Sequence, residues 1–196
     1  MKLLIIFYSS LFVFSSSGTG WEQKLNKNGV VVYLKTTNNS KIKSVKAVVT
    51  INASPEKIKS VILNIANYPN WVYQCSKAEI ISKTNDNELY YYQLTKAPFP
   101  VSDRDMAVLM KVSEITDEIT ITIKAKPDKI SARKDIVRIE LFDSIWILKK
   151  IKDNTEVTNE ITTDPGGSVP AWLINSVIAS GPYNTVLHLK QIAEKN

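Results

Sequence analysis

The chain has 196 residues, of which 44% are hydrophobic and 22% charged. That ordinary composition excludes a disordered or collagen-like chain and fits one domain, two at most. A single cysteine, Cys75, excludes an intramolecular disulfide and a Cys-rich zinc site; a single histidine, His188, argues against His-based catalysis and a multi-His metal centre; the net charge of +6 favours anionic partners, a membrane surface or nucleic acid.

Residues 1–20 read as an export signal. Lys2 supplies the positive start, residues 3–14 an apolar run, and residues 15–20 (SSSGTG) the small side chains that a signal peptidase requires. The apolar run is too short to span a bilayer, which takes roughly 20 apolar residues. No cysteine follows it, so lipoprotein attachment is excluded. The expectation is an exported protein, periplasmic or secreted, whose single domain occupies residues 21–196.

Within that domain, residues 29–34 (GVVVYL) and 45–51 (VKAVVTI) are β-branched runs that predict strands. Ser54-Pro55-Glu56 then predicts a helix start, with Ser54 as the cap and Pro55 in the first turn. Ile58, Val61, Ile62 and Ile65 follow at helical spacing, so the helix is expected to reach about Ala66. Strands are predicted over residues 78–82, 88–94, 104–112, 118–126, 135–142, 144–151 and 156–163, several of them separated by short turns. Such an order favours an antiparallel meander. A long apolar helix is predicted over residues 170–190, kinked at Gly181-Pro182. The fold class is therefore α+β. One antiparallel sheet of about nine strands must curl, and the last helix is the element to fill its concave side.

Four motifs carry a resemblance. They are Asn28-Gly29-Val30-Val31-Val32-Tyr33, Tyr68-Pro69-Asn70-Trp71-Val72, Pro98-Phe99-Pro100-Val101-Ser102-Asp103-Arg104-Asp105 and Asp164-Pro165-Gly166-Gly167-Ser168-Val169-Pro170-Ala171-Trp172-Leu173. Together they resemble the START family of lipid-transfer domains, within the helix-grip group, and are most similar to exported bacterial members. The resemblance implies a hydrophobic tunnel between the sheet and the C-terminal helix. It also implies one lipid or other hydrophobic small molecule per domain, and no catalysis in most members.

Candidate ligand-binding residues follow from strand parity and helix position. Arg104, Met106, Val108, Met110 and Val112 share one face of a strand, placed inward because it is apolar after Arg104. Val108 and Val112 read as core packing, and Met106 and Met110 as flexible pocket lining. Arg104 either meets a polar ligand group or pairs with Asp103, Asp105 or Glu160. In sterol-type members of the family a second arginine stands six positions on; Met110 in its place implies a more apolar tunnel. Trp71, Trp146 and Trp172 are each core or tunnel wall. Of the consecutive Tyr90, Tyr91 and Tyr92, the middle one faces opposite to its neighbours, and Tyr92 is placed at the cavity. Asn159, between Val157 and Ile161 on one face, and Asn175 on the last helix are polar spots on apolar surfaces that meet a ligand or bond a neighbour.

No cofactor, metal or catalytic residue is assigned. The main expectation is a carrier or sensor of a hydrophobic small molecule or lipid, acting as a monomer with transient contact to an anionic membrane surface. Nucleic acid is excluded because no RNA-binding signature accompanies the lysines. Two alternatives are a helix-grip enzyme of the polyketide cyclase or aromatase type, and an interaction module whose cavity is filled by its own aromatic side chains.

Overall fold

The computed structural model describes residues 20–37 and 40–195. The expected export signal therefore lies outside the described residues, apart from Gly20. Ten strands form one curved sheet: β1 (Trp21–Lys27), β2 (Val30–Thr37), β3 (Ser40–Ile51), β4 (Cys75–Asn85), β5 (Glu88–Thr95), β6 (Arg104–Ile115), β7 (Glu118–Ala125), β8 (Val137–Arg138), β9 (Leu141–Ile151) and β10 (Asn154–Asp164). Their spatial order is β1-β2-β3-β10-β9-β7-β6-β5-β4, with β8 set against β6. Helices α1 (Pro55–Leu63), α2 (Ala171–Val177) and α3 (Ser180–Ala193) complete the chain, with a 3-10 turn over Ile65–Asn70 after α1. The α+β class and the single curved sheet are as the sequence predicts.

Four details differ from expectation. Trp21–Lys27 is a strand, joined to β2 through Asn28 and Gly29, which both take positive φ. That is the geometry of a tight two-residue hairpin. Its mostly exposed, polar residues hide it from a β-propensity reading. Residues 135–142 are not one strand: Val137–Arg138 pairs in parallel with Arg104 and Asp105, and β9 begins only at Leu141. The sheet is thus antiparallel except at this one pair. The long C-terminal helix is two helices, because the Pro182 ring would collide with the carbonyl of residue 178 in a continuous helix. The chain breaks at Ile178 and Ala179, and Pro182 sits in the first turn of α3, where its missing N–H costs nothing. Helix α1 stops at Leu63, and its expected last residues belong to the 3-10 turn.

The start of α1 is as predicted: the Ser54 hydroxyl accepts the Lys57 N–H at 3.2 Å, and Ile58 and Ile62 are buried. Helix α3 buries Val186, Leu189 and Ala193 against β2, β3 and α1. On the outer face, Arg138 is held by a bidentate contact to Asp105, Nε to Oδ1 at 2.6 Å and Nη2 to Oδ2 at 3.2 Å. Its remaining N–H groups donate to the carbonyls of Pro127, Ile130 and Ser131. One side chain therefore ties the whole segment between β7 and β8 to the sheet. The two outermost strands, β1 and β4, are irregular, with one register shift in β1 and three in β4.

Candidate functional site

The concave side of the sheet is only partly covered. Helix α3 lies over β2 and β3, while the start of α3, the 3-10 turn and strands β5, β6, β7, β9 and β10 enclose a cavity of about 510 Å³. Strand parity selects its walls. Trp146 and Asn159 face each other across the β9–β10 ladder, and Ser144 faces Ile161; all four line the cavity. Tyr91 and Gln93 on β5, Met106 on β6 and Ile123 on β7 continue the wall. At the other side stand Tyr68 and Trp71 from the 3-10 turn and Ile178, Pro182 and Thr185 from the helices.

The aromatic residues brace one another. Tyr68 meets Trp71 edge-on at 5.2 Å and Tyr91 at 5.6 Å, and Trp71 meets Trp146 at 6.5 Å between centroids. The Tyr68 hydroxyl donates to the Ile62 carbonyl at 2.8 Å, which anchors this cluster to α1. Burial raises the pKa of both the Tyr68 and Tyr91 hydroxyls above the usual tyrosine range, so both stay neutral. His188 does not reach the cavity; its Nδ1–H donates to the Trp71 carbonyl at 3.0 Å and fixes the turn that carries Trp71. Among the described residues, no Asp, Glu, Lys, Arg or His lines the cavity.

Of the nine candidate residues, the structure brings Trp71, Met106, Trp146 and Asn159 together on this wall. The other five stand elsewhere. Tyr92 is on the outer face, under the Arg133 guanidinium at 4.4 Å; Tyr91 takes the inner place. Leu89, buried on the same face as Tyr91, and Glu88, in phase with Tyr90 and Tyr92, carry the parity signal that resolves the triplet. Met110 points inward but is fully buried beside Leu89 and Ile123, away from the open space. Arg104 is buried next to the Gly167 turn, and its Nη1 donates to the Ser102 carbonyl. It makes none of the expected carboxylate pairs, because Asp105 is taken by Arg138 and Asp103 by Lys96. Desolvation pulls the Arg104 pKa down, and Asp103 opposes that shift. Trp172 is 72% exposed on α2, since that short helix buries none of its side chains. Asn175 pins α2 to β3 instead: its Oδ1 accepts the Lys43 N–H at 3.0 Å and its Nδ2 donates to the Lys41 carbonyl at 2.9 Å.

Pro98 in the loop between β5 and β6, and Val177 at the end of α2, also line the cavity. Phe99, next to Pro98 in the chain, is 96% exposed, and Trp172, Leu173 and Val177 on α2 are exposed as well.

The sequence matches the START domain family over residues 14–196. The chain belongs to that family. This START domain is 30% identical over 177 residues to an uncharacterized protein of Pseudomonas aeruginosa, spanning 89% of this chain and 87% of the relative. It is 22% identical over 175 residues to the phosphatidylcholine transfer protein of Bos taurus, spanning 86% of this chain and 81% of the relative. The crystal structure of a STAR-related lipid transfer protein fragment from Xanthomonas axonopodis superposes with a TM-score of 0.84 at 28% identity, covering 90% of this START domain and 99% of that fragment.

Proposed function

We propose that this START domain binds one lipid or other hydrophobic small molecule in its cavity and carries or presents it at a membrane. The observation that carries the reading is the cavity itself. At about 510 Å³ it falls within the size range of small-molecule sites, and its wall is aromatic and aliphatic with a few fixed polar groups. The names of two relatives, a phosphatidylcholine transfer protein and a STAR-related lipid transfer protein, support the same reading. Exposed Phe99, next to the cavity-lining Pro98, and exposed Trp172, Leu173 and Val177 on α2 suit insertion into a bilayer, and the net charge of +6 suits an anionic one. Export to the periplasm or exterior, and action as a single copy, complete the proposal.

The enzyme alternative lacks a reactive group. Acid–base chemistry needs a side chain that exchanges protons near neutral pH. Among the described residues the cavity wall has no carboxyl, imidazole or amine, and burial keeps Tyr68 and Tyr91 protonated. The module with a filled cavity is disfavoured by the space that Trp71, Trp146 and Tyr91 leave open.

The test is native mass spectrometry of protein purified from a bacterial periplasm without detergent, followed by solvent extraction. A stoichiometric adduct of lipid mass is expected. A bare protein that also fails to take up any lipid from mixed bacterial lipid extract would refute the reading.

A further inference from the structure

Two buried polar atoms of cavity-wall residues have no partner among the described residues: the Nε1–H of Trp71 and the Oδ1 of Asn159. The two residues are 2% and 0% exposed, respectively. The chain itself orients the Asn159 amide. Its Nδ2 donates to Ser144 Oγ at 3.0 Å and to the Ile145 carbonyl at 3.4 Å. A carbonyl only accepts, so the nitrogen must lie on that side and Oδ1 on the other. Trp146 links the pair: it stands opposite Asn159 in the ladder and edge-on to Trp71. The residues that carry the unmet donor and the unmet acceptor are thus both neighbours of Trp146.

Buried polar groups are normally hydrogen-bonded, and leaving one unmet is costly. The group that satisfies both must accept from Trp71 and donate to Asn159. A carboxylate or phosphate only accepts, and would set negative charge against Asn159 Oδ1. Among the described residues no charged side chain lines the cavity to balance such a group. Arg104, the buried cation of the inner face, is turned to the Ser102 carbonyl beside the Gly167 turn and is not part of the wall.

We infer that the cavity selects an uncharged lipid carrying a donor–acceptor group, in its simplest form a hydroxyl, which binds between Trp71 Nε1 and Asn159 Oδ1. The inference rests on the cavity's being a lipid site, and it excludes phospholipid headgroups and ionised fatty acids from the position between these two residues.

The experiment is displacement of the neutral dye Nile red from delipidated protein. The competitors are 1-dodecanol, dodecyl methyl ether, dodecanoate at pH 8 and dodecylphosphocholine, each below its micellar concentration. They share one chain and differ only at the polar end. The alcohol is expected to compete at about tenfold lower concentration than each of the others, the scale set by one buried polar group satisfied or left unmet. Trp71→Phe keeps the ring and deletes the donor, and Asn159→Leu deletes the acceptor. Each is expected to cut the alcohol's advantage to about threefold or less, and Trp71→Phe alone suffices if Asn159→Leu does not fold. Equal competition by alcohol and ether, as when water satisfies both atoms, overturns the inference. Preference for dodecanoate or dodecylphosphocholine does the same; in either case the lipid-site reading stands. If neither dye nor any competitor binds, both fall.

Discussion

Replacing Arg138 by Met isolates the buried ion pair on the outer face. The substitution roughly conserves length but leaves the Asp105 carboxylate, 1% exposed, without its cation. It also orphans the carbonyls of Pro127, Ile130 and Ser131. Breaking a buried pair from one side costs about 3–5 kcal/mol. Arg138 is 12% exposed, so water can enter where it stood, and the lower end, about 3 kcal/mol, is expected. For a domain of this size that lowers Tm by roughly 6–12 °C. Asp105→Asn should cost less, about 1–2 kcal/mol, because Arg138 keeps three carbonyl acceptors and some solvent. The double variant has no buried charge and should be more stable than Arg138→Met alone, a clear failure of additivity. Urea denaturation followed by circular dichroism measures all three. Amide exchange should also quicken at Val137 and Ile139, whose N–H groups donate to the Asp103 and Asp105 carbonyls. An Arg138→Met variant within 1 kcal/mol of the parent, or a double variant at the sum of the singles, would refute the reasoning.

Gly166→Ala should destabilise by about 1–2 kcal/mol, because Gly166 has φ +66° and an added Cβ would meet Val137 Cγ1 at 3.1 Å. Gly29→Ala, with φ +76° and open space around it, should cost only about 1 kcal/mol, and equal losses in thermal melts would contradict the packing part of that difference. Burial pushes the Cys75 thiol from its ordinary 9.0 up to about 11. Labelling by a disulfide reagent at pH 8 should therefore be on the order of 100-fold slower in the native state than in urea. The fold holds this proton more tightly than the unfolded chain does, so stability should fall as pH rises from about 9 towards 11. A Phe99→Ser, Trp172→Ser double variant should change stability by less than about 0.5 kcal/mol. Its sedimentation with phosphatidylglycerol vesicles should drop at least tenfold, since each side chain offers about 1.5–3 kcal/mol of apolar burial; unchanged sedimentation would remove these residues from membrane docking.

The sequence displays most of the sheet because β-branched runs and the Ser54-Pro55 cap are local signals. What it hides depends on neighbours. Trp21–Lys27 gains its place from the hairpin at Asn28 and Gly29, not from its own polar residues. Residues 135–142 look like a strand, yet Arg138 is committed to Asp105 and three carbonyls, and the backbone bends to serve them. At the cavity, Asn159 is legible because Val157 and Ile161 share its face, and Trp71 because the broken helix delivers it inward. Trp172 is not: Pro182 marks the break locally, but nothing in the sequence shows that the short helix before it buries none of its side chains. Asn175 is absorbed by the backbone of β3, a partner 132 residues away that no local pattern announces.

An open sheet leaves two strands with a free row of backbone donors and acceptors. Here those rows are poor templates for a visiting strand. On β4 the ladder slips three times in eleven residues, and Lys77, Glu79 and Lys83 stud it. On β1 it slips once, among Glu22, Lys24 and Lys27. A second chain adding itself to either edge would have to match an uneven backbone rhythm on a strand studded with charged side chains. The same irregularity that makes these strands look weak therefore protects a long, curved, apolar-faced sheet from recruiting copies of itself.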